Sequence, residues 1–322
     1  MKGERVWVKE LRPGTTIQST FAVRSKELRQ RRNGGAYLAM TLADRTGQVA
    51  ALAWENVEEF HRGCSVGDVV RVEGQVQRYN QRLQLVIRRL AVVPGEEVDE
   101  SLFVRSSATD PHVLWRHLEE LVEAVTNPHL KQLLYRILAD PEVSERLRFA
   151  PAARSMHHAY RSGLLEHTVS VARVARMLAE HYGVDTSLVL AGAILHDLGK
   201  VWELQPGPSI EYTDSGRLLG HLAMEVLYVE ERIRELPEFP RELRRHLLHI
   251  LLSHHGEYAY GSPRRPKTPE AMLVHMVDNL DARLTGMLHA IEEGGETGEA
   301  WTAYSPILER YVYRRRPDEG DG

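Results

Sequence analysis

The sequence has little of several features that would place it outside the cell or in a membrane. Its single cysteine, Cys64, cannot form a disulfide within the chain, so a reducing, cytoplasmic location is expected. No apolar run approaches the roughly 18 residues of a membrane span, and the longest, over 188–195, contains a glycine. The opening residues MKGERVWVKEL lack the apolar segment of a signal peptide. Secretion and a membrane partner are therefore not expected.

The composition also disfavours a disordered or low-complexity protein. Hydrophobic residues make up 43% and charged residues 27% of the chain, which is close to the globular average. At roughly 150 residues per domain, the 322 residues predict about two domains.

Charge and histidine are unevenly distributed along the chain. Residues 1–95 hold 16 Lys and Arg against 9 Asp and Glu, a net charge of +7, whereas the remainder holds 25 against 36, a net charge of −11. A basic front half on an acidic chain predicts a polyanionic partner for that half. Of the 16 histidines, 12 lie at or after His157, and histidine is the commonest metal ligand. The pattern predicts a basic binding module in front of a histidine-rich site.

Residues 15–93 show the alternation typical of short strands. The runs 36–42 and 48–54 flank the turn tetrapeptide Asp44–Gly47, which predicts a hairpin. Two further strands over 69–77 and 83–88, with a fifth over 17–23, predict a small closed β-barrel. Gly74, in the middle of a strand, predicts a bulge or a barrel corner.

From residue 96 the apolar period changes to that of helices. Asp110-Pro111, Asn127-Pro128 and Asp140-Pro141 each place a capping side chain before a proline, so three helices are predicted to begin there. Apolar stripes at helical spacing then cover 164–182, 187–196, 218–236, 241–254 and 269–285, separated in part by loops at 205–217 and 256–269.

The predicted organisation is multidomain. An all-β barrel over 1–94 and a linker over 95–110 precede an all-α bundle over 111–316, and residues 317–322 are predicted to be a disordered tail.

Several helices are predicted to direct a metal-binding side chain toward the bundle interior. His167 shares the apolar stripe of its helix with Val171 and Val174, and His254 and Asp278 lie on similar stripes. His196-Asp197 ends the apolar helix LVLAGAILHD. A bare charge in such an interior costs several kcal/mol unless it is paired or bound to a metal. Each position alone fits a satisfied core residue, but the five together predict a metal centre.

These residues carry a resemblance to a known family. The order H, HD, D with an intact HDLGK resembles the HD phosphohydrolase superfamily, an all-helical, metal-dependent fold. The segments HHAYRSGLLEHTVSVA, AGAILHDLGK, LLGHLAMEV, LSHHGEYAYGSP and HMVDNLDAR are similar to the YhaM-type 3′-to-5′ exoribonucleases, and LADRTGQVAALAW and RLQLVIRRL are similar to the N-terminal OB-fold of that family. The resemblance covers residues 8–290. One departure is Ser162, which stands where the family has a second glycine.

The resemblance implies a site for two divalent cations. One cation is expected on His167, His196, Asp197 and Asp278, and the second on Asp197, His221 and His254. Asp197 would bridge the two, because a carboxylate has two oxygens whereas an imidazole has one free nitrogen. A donor set without thiolates favours manganese, with iron and cobalt as the alternatives.

Further residues near the predicted centre have open roles. Lys200 is expected to reach a phosphate oxygen, the alternative being a solvated lysine that the helix dipole favours. For His255 three roles are open: a metal ligand, a proton donor to the leaving group, or an outward-facing neighbour of His254. His157 and His158 either line the substrate channel or have a structural role.

The barrel is predicted to hold a single strand of nucleic acid through stacking and phosphate contacts. Tyr37 and Trp54 are the candidates for stacking. The candidates for phosphate contact are Arg45, Arg71, Arg78 and Arg82. The alternative for each is a core position or a solvated face.

The predicted function is a metal-dependent 3′-to-5′ exoribonuclease that hydrolyses single-stranded RNA to nucleoside 5′-monophosphates. The RNA preference and the polarity come from the resemblance alone, so DNA stays open as a substrate, as does a homo-oligomeric state. One alternative is an HD phosphohydrolase that acts on a free or cyclic nucleotide. The other is a nucleic-acid-binding protein with an inactive HD domain.

Overall fold

The structure, a computed structural model, divides the chain into two compact units. The barrel unit comprises residues 1–106 with 206–211, and the helical unit comprises 107–205 with 212–322. The residues that the structure describes are 5–31, 34–79, 82–104, 107, 109–153, 160–205, 207, 210–293, 300–302, 304, 305 and 308–314. The predictions for His157, His158 and the tail over 317–322 fall outside the described residues.

The barrel unit is built from five strands that close in the order β1-β2-β3-β5-β4. Neighbouring strands are antiparallel except β3 and β5, which run parallel. The strands are β1 (Thr16–Gln30), β2 (Ala36–Asp44), β3 (Gly47–Ala53), β4 (Val69–Tyr79) and β5 (Arg82–Val92), and helix α1 (Val57–Gly63) connects β3 to β4. Phe21, Leu38 and Leu85 are fully buried inside. The predicted five-stranded barrel is confirmed.

Two local predictions for the barrel are also confirmed. β2 ends at Asp44 and β3 begins at Gly47, and the Asp44 Oδ1 accepts the Thr46 N–H at 2.7 Å across the turn. The strand register shifts between Glu73 and Gly74. A Cβ on Gly74 would lie 2.5 Å from the Val86 carbonyl oxygen, so the bulge requires a glycine.

The chain that leaves the barrel stays packed on it. Phe103, within the predicted linker, is only 2% exposed and lies in an apolar cluster with Ala22, Val69 and Val93. The segment contains two short 3₁₀ turns, Gly95–Glu97 and Glu100–Leu102.

The remaining α-helices and strands lie in the helical unit, apart from Glu211, which belongs to the barrel unit. They are α2 (Pro111–Glu123), α3 (Pro128–Leu138), α4 (Pro141–Phe149), α5 (Gly163–Tyr182), α6 (Thr186–Leu195), α7 (Lys200–Glu203), β6 (Leu204–Gln205), β7 (Glu211–Tyr212), α8 (Asp214–Arg234), α9 (Arg241–Ser253) and α10 (Pro269–Glu293). The first three helices begin at the predicted prolines, and Asp110, Asn127 and Asp140 each accept a backbone N–H as caps. Among the described helices, none has the length and apolarity that a membrane crossing requires.

Helix α8 differs from the prediction at its start. It begins at Asp214 rather than 218, because the Thr213 hydroxyl caps it by accepting the Gly216 N–H at 2.9 Å. The predicted loop over 205–217 is correspondingly shorter. Gly220, with φ 73° and ψ 155°, interrupts α8 in a conformation that favours glycine, and this kink lies directly before His221.

A glycine also sets the approach of α6 to α9. A Cβ on Gly192 would lie 2.7 Å from the Ile250 Cγ2, so the two helices pack closer than a side chain at position 192 would allow. His196 and His254 directly follow these helices, and their ring centroids are 5.0 Å apart.

Ser162, the departure from the family sequence, is strained. It precedes α5 with φ 67°, is fully buried, and its Oγ has no hydrogen-bond partner among the described residues. A left-handed residue other than glycine costs about 1–2 kcal/mol, and an unpaired buried hydroxyl adds to the cost.

We therefore predict that Ser162→Gly stabilises the helical unit by about 1 kcal/mol, since relief of strain and of the unpaired hydroxyl exceeds the added entropy of the unfolded chain. Thermal unfolding measures the effect. Ser162→Ala is the control, because it removes the hydroxyl and keeps the strain. A Tm no higher for the glycine variant than for the alanine variant would contradict the prediction.

Candidate metal centre and nucleic-acid surface

The six predicted metal ligands converge in the helical unit. They come from the start of α5, the ends of α6 and α9, the kink in α8 and the middle of α10. His167, His196, Asp197 and His254 are at most 2% exposed. The side chains of His221 and Asp278 are 13% and 18% exposed, so the centre is more accessible at these two residues than at the other four.

The first cluster surrounds the His167 Nε2. This nitrogen lies 3.2 Å from the His196 Nε2 and 3.2 Å from the Asp278 Oδ1. The Asp197 Oδ2 lies 3.5 Å from the His167 Nε2 and 3.4 Å from the His196 Nε2.

The second cluster lies on the other side of Asp197. Ring nitrogens of His221, His254 and His255 all lie within 4.8 Å of one another, and the His221 Nε2 is 3.2 Å from the His255 Nε2. The Asp197 Oδ1 is 3.7 Å from the His221 Nε2 and 3.8 Å from the His254 Nε2. Asp197 therefore presents one oxygen to each cluster.

Each of the five imidazoles is oriented by a hydrogen bond at Nδ1. A backbone carbonyl can only accept, so Nδ1 is the protonated nitrogen of His196, His254 and His255. The Nε2 lone pairs of these rings then face the centre. The Nδ1 partners are the Asp281 carboxylate for His167 (2.7 Å), the Ala193 carbonyl for His196 (2.8 Å), the Glu203 carboxylate for His221 (3.1 Å), the Leu251 carbonyl for His254 (2.9 Å) and the Tyr260 carbonyl for His255 (3.0 Å).

This arrangement fits bound cations. Nε2 atoms meet in pairs at 3.2 Å, His167 with His196 and His221 with His255, and the Nδ1 atoms of His196 and His255 already hold protons. Within the described part of the chain, the buried Asp197 Oδ1 and His254 Nε2 have no hydrogen-bond partner. Imidazole nitrogens and carboxylate oxygens are suitable donors for manganese, iron or cobalt. A cation in each cluster would satisfy these atoms.

Neighbouring charges shift the pKa values of the first cluster. Burial by itself raises the pKa of Asp197, but Lys200 and His196 hold it well below its usual value. Burial opposes protonation of His167, whereas hydrogen bonds to Asp278 and Asp281 raise its pKa to about 9. A cation bound at His167 would therefore have to displace a proton.

Lys200 and His255 lie at the centre. The Lys200 Nζ is 2.7 Å from the Asp197 Oδ2, and its side chain is only 15% exposed. The ring of His255 lies beside His221 rather than outward, and burial followed by the neighbouring His221 lowers its pKa.

Sequence reasoning missed the carboxylates behind the ligands. Asp281 and Glu203 orient His167 and His221. Glu225 is fully buried with its Oε1 3.8 Å from the His254 Nδ1, and burial and then the charge of Asp197 raise its pKa well above the usual value. One signal was available, because Asp281 follows Asp278 at the i+3 spacing that places both on one helix face.

The barrel surface brings two predicted aromatic residues together. The rings of Tyr37 and Trp54 stack with centroids 4.8 Å apart, and Trp54 is 40% exposed. Arg31 places its guanidinium 4.9 Å from the Trp54 ring centroid. This group combines an aromatic face with a cation.

Three of the predicted arginines, Arg45, Arg71 and Arg78, do not gather at this surface. Arg45 is exposed but lies over the Trp7 ring at 4.5 Å. Arg71 and Arg78 are exposed on β4, which neighbours neither β2 nor β3. Arg82 begins β5, and its side chain lies outside the described residues.

Comparisons with known proteins match both units. The HD domain family matches residues 164–283, and an OB-fold nucleic acid binding domain family matches residues 20–93. The chain is 34% identical over 290 residues to the 3′-5′ exoribonuclease YhaM of Halalkalibacterium halodurans, covering 89% of this chain and 90% of the relative. The chain belongs to the YhaM family. The YhaM of Bacillus subtilis is 32% identical over 281 residues, which cover 87% of this chain and 88% of that protein. YhaM relatives therefore align with both the barrel and the metal cluster.

Because Asp281 fixes the tautomer of His167, Asp281→Asn is expected to weaken Mn²⁺ binding about 10- to 100-fold. Calorimetric titration of the metal-free protein measures this affinity. Glu292→Gln, which changes an exposed carboxylate on the same helix, should bind as the wild type does. Equal affinities of the two variants would show that Asp281 does not support the centre.

The Mn²⁺ affinity is also expected to rise about tenfold per pH unit from pH 7 to 8, because His167, with a pKa of about 9, must lose its proton on binding. Titrations in buffers of different ionisation enthalpy report the released proton. An affinity that stays constant between these pH values would contradict the assignment of His167.

Proposed function

We propose that this chain is a metal-dependent 3′-to-5′ exoribonuclease that hydrolyses single-stranded RNA to nucleoside 5′-monophosphates. The observation that carries the proposal is the placement of Asp197 between two clusters of inward-facing imidazoles. The substrate and the polarity come from the name of the YhaM relatives. The alignment with the relative from Halalkalibacterium halodurans covers about nine-tenths of both chains.

The ligand sets follow the two clusters. His167, His196, Asp197 and Asp278 hold one divalent cation, and Asp197, His221 and His254 hold the other, with manganese favoured over iron or cobalt. When bound, such a pair supplies the activation of water and the neutralisation of charge on the phosphoryl oxygens. His255 fits a further ligand better than a proton donor, because its Nδ1 donates to the Tyr260 carbonyl and burial lowers its pKa, and both favour a lone pair on Nε2.

The chain's own residues prepare the centre for an anionic substrate. Lys200 offsets part of the negative charge of Asp197 and is close enough for its ammonium to share a phosphate oxygen. The buried walls around His196 and His254 exclude bulk water, which strengthens each electrostatic contact to a bound phosphate.

The barrel would hold the RNA strand. Tyr37 and Trp54 offer a stacking face, and Arg31 adds a cation beside it. Arg45, Arg71, Arg78 and Arg82 remain proposed phosphate contacts around the barrel. The boundaries 1–94, 95–110, 111–316 and 317–322, the cytoplasmic location and a homo-oligomeric state also remain proposals.

The test uses 5′-labelled single-stranded RNA and DNA, with Mn²⁺ or with chelator, resolved at single nucleotides. We expect a ladder that shortens from the 3′ end on RNA and stops in chelator. Asp197→Asn should lower the rate at least about 100-fold, because it removes the carboxylate that is proposed to hold both cations. Glu292→Gln should leave the rate unchanged. Mid-chain products would indicate an endonuclease instead, and hydrolysis retained in Asp197→Asn would rule out the metal mechanism.

A further inference from the structure

A loop of unusual composition adjoins the second histidine cluster. Residues 256–267, named here the tyrosine loop, contain two tyrosines, three cationic residues and a single acidic one. Tyr258 and Tyr260 are 59% and 57% exposed. The cationic residues Arg264, Arg265 and Lys267 are exposed too. Residues 96–322 carry a net charge of −11, so this concentration of cations runs against the surrounding sequence.

The tyrosine loop is held firmly although it lies at the surface. The Ser262 hydroxyl hydrogen-bonds to the Leu252 carbonyl at 3.2 Å and to the Arg264 carbonyl at 2.6 Å. The Lys267 N–H donates to the His249 Nε2 at 2.9 Å. Exposed side chains on this loop are therefore presented on a preorganised backbone.

The start of the loop is fixed against the metal centre itself. Gly256 has φ 80°, and a Cβ there would lie 2.1 Å from the His275 Cε1, so only glycine fits. The His275 Nδ1 lies 2.7 Å from the His254 carbonyl oxygen. The His275 ring therefore contacts both Gly256 of the loop and the backbone of the proposed ligand His254.

The middle of the loop touches the centre through one imidazole. The His255 Nδ1 donates to the Tyr260 carbonyl at 3.0 Å, while the His255 Nε2 lies 3.2 Å from the His221 Nε2. Tyr260 is therefore a direct neighbour of the cluster where the scissile phosphate would be held.

The two tyrosines differ in what they already contact. Arg265 lies over the Tyr258 ring at 5.1 Å and pairs with Glu257 at 2.6 Å, so Tyr258 is part of a local contact. In the described part of the chain, no ring or guanidinium lies against Tyr260. Tyr260 thus has an aromatic face available to a ligand.

We propose that Tyr260 stacks on the base of the 3′-terminal nucleotide of a single-stranded substrate, with Arg264 and Lys267 at the adjoining backbone phosphates. Stacking on an aromatic ring suits an enzyme that removes successive nucleotides, because every base offers a π-face. The inference rests on the proposed exoribonuclease function and adds a nucleotide subsite within the helical unit.

The test compares Tyr260→Ala and Tyr260→Phe with the wild type on two RNAs that differ only at the 3′-terminal nucleotide, one normal and one abasic. Binding is measured by fluorescence anisotropy in chelator, and the first cleavage is measured at single turnover with Mn²⁺. Tyr182→Ala is the matched control, since Tyr182 is 70% exposed and lies about 22 Å along α5 from His167 at 1.5 Å per residue.

On the normal RNA, Tyr260→Ala should lose at least about fivefold in affinity and in the rate of first cleavage, whereas Tyr260→Phe and Tyr182→Ala should match the wild type. On the abasic RNA, Tyr260→Ala and wild type should be equal. An equal loss on both RNAs, or no loss on the normal one, would overturn the subsite. A wild type that binds RNA without shortening it would contradict the proposed function, while the binding comparison still decides the subsite.

Discussion

The structure of the centre depends on one repeated interaction, a hydrogen bond from the Nδ1 of each histidine to an oxygen. At two positions this bond also completes a helix. His196 and His254 each follow the end of a helix and bond to the carbonyl three residues earlier, Ala193 in α6 and Leu251 in α9. The last carbonyls of a helix lack partners within it, so one contact both caps the helix and directs Nε2 inward. Carboxylates replace the carbonyl for His167 and His221, where the ring projects from within a helix.

Glycines set the spacing between the segments that carry these histidines. Gly192 admits Ile250, Gly199 lies where a Cβ would be 2.2 Å from the His221 carbonyl oxygen, and Gly256 admits the ring of His275. In each case the close approach lies beside a proposed ligand or on the helix that leads to one. Because interiors are close-packed, a side chain at any of these glycines would displace a ligand as well as strain the fold. Stability and ligand geometry are therefore linked through backbone contacts.

Much of the architecture was predictable because it follows from local chemistry. The three Asx-Pro caps, the hairpin at Asp44 and the bulge at Gly74 each involve residues close in sequence. Ligands on apolar stripes were predictable for the same reason, since periodicity reports the buried face. The pairing of His167 with Asp281 spans 114 residues, so the i+3 spacing places Asp281 on the helix face of Asp278 but does not show which residue it contacts. The kink at Gly220 depends on packing, and the positions of Arg71 and Arg78 depend on the order in which strands close the barrel, which alternation does not encode.

In the proposed metal centre, Asp197 would join two cations held by separate histidine clusters. Diffraction from crystals grown with Mn²⁺, with anomalous data collected at the manganese edge, tests it most directly. We expect two anomalous peaks, one bounded by His167, His196 and Asp278 and the other by His221 and His254, with one Asp197 oxygen facing each. A single peak, or two peaks that do not share Asp197, would contradict it.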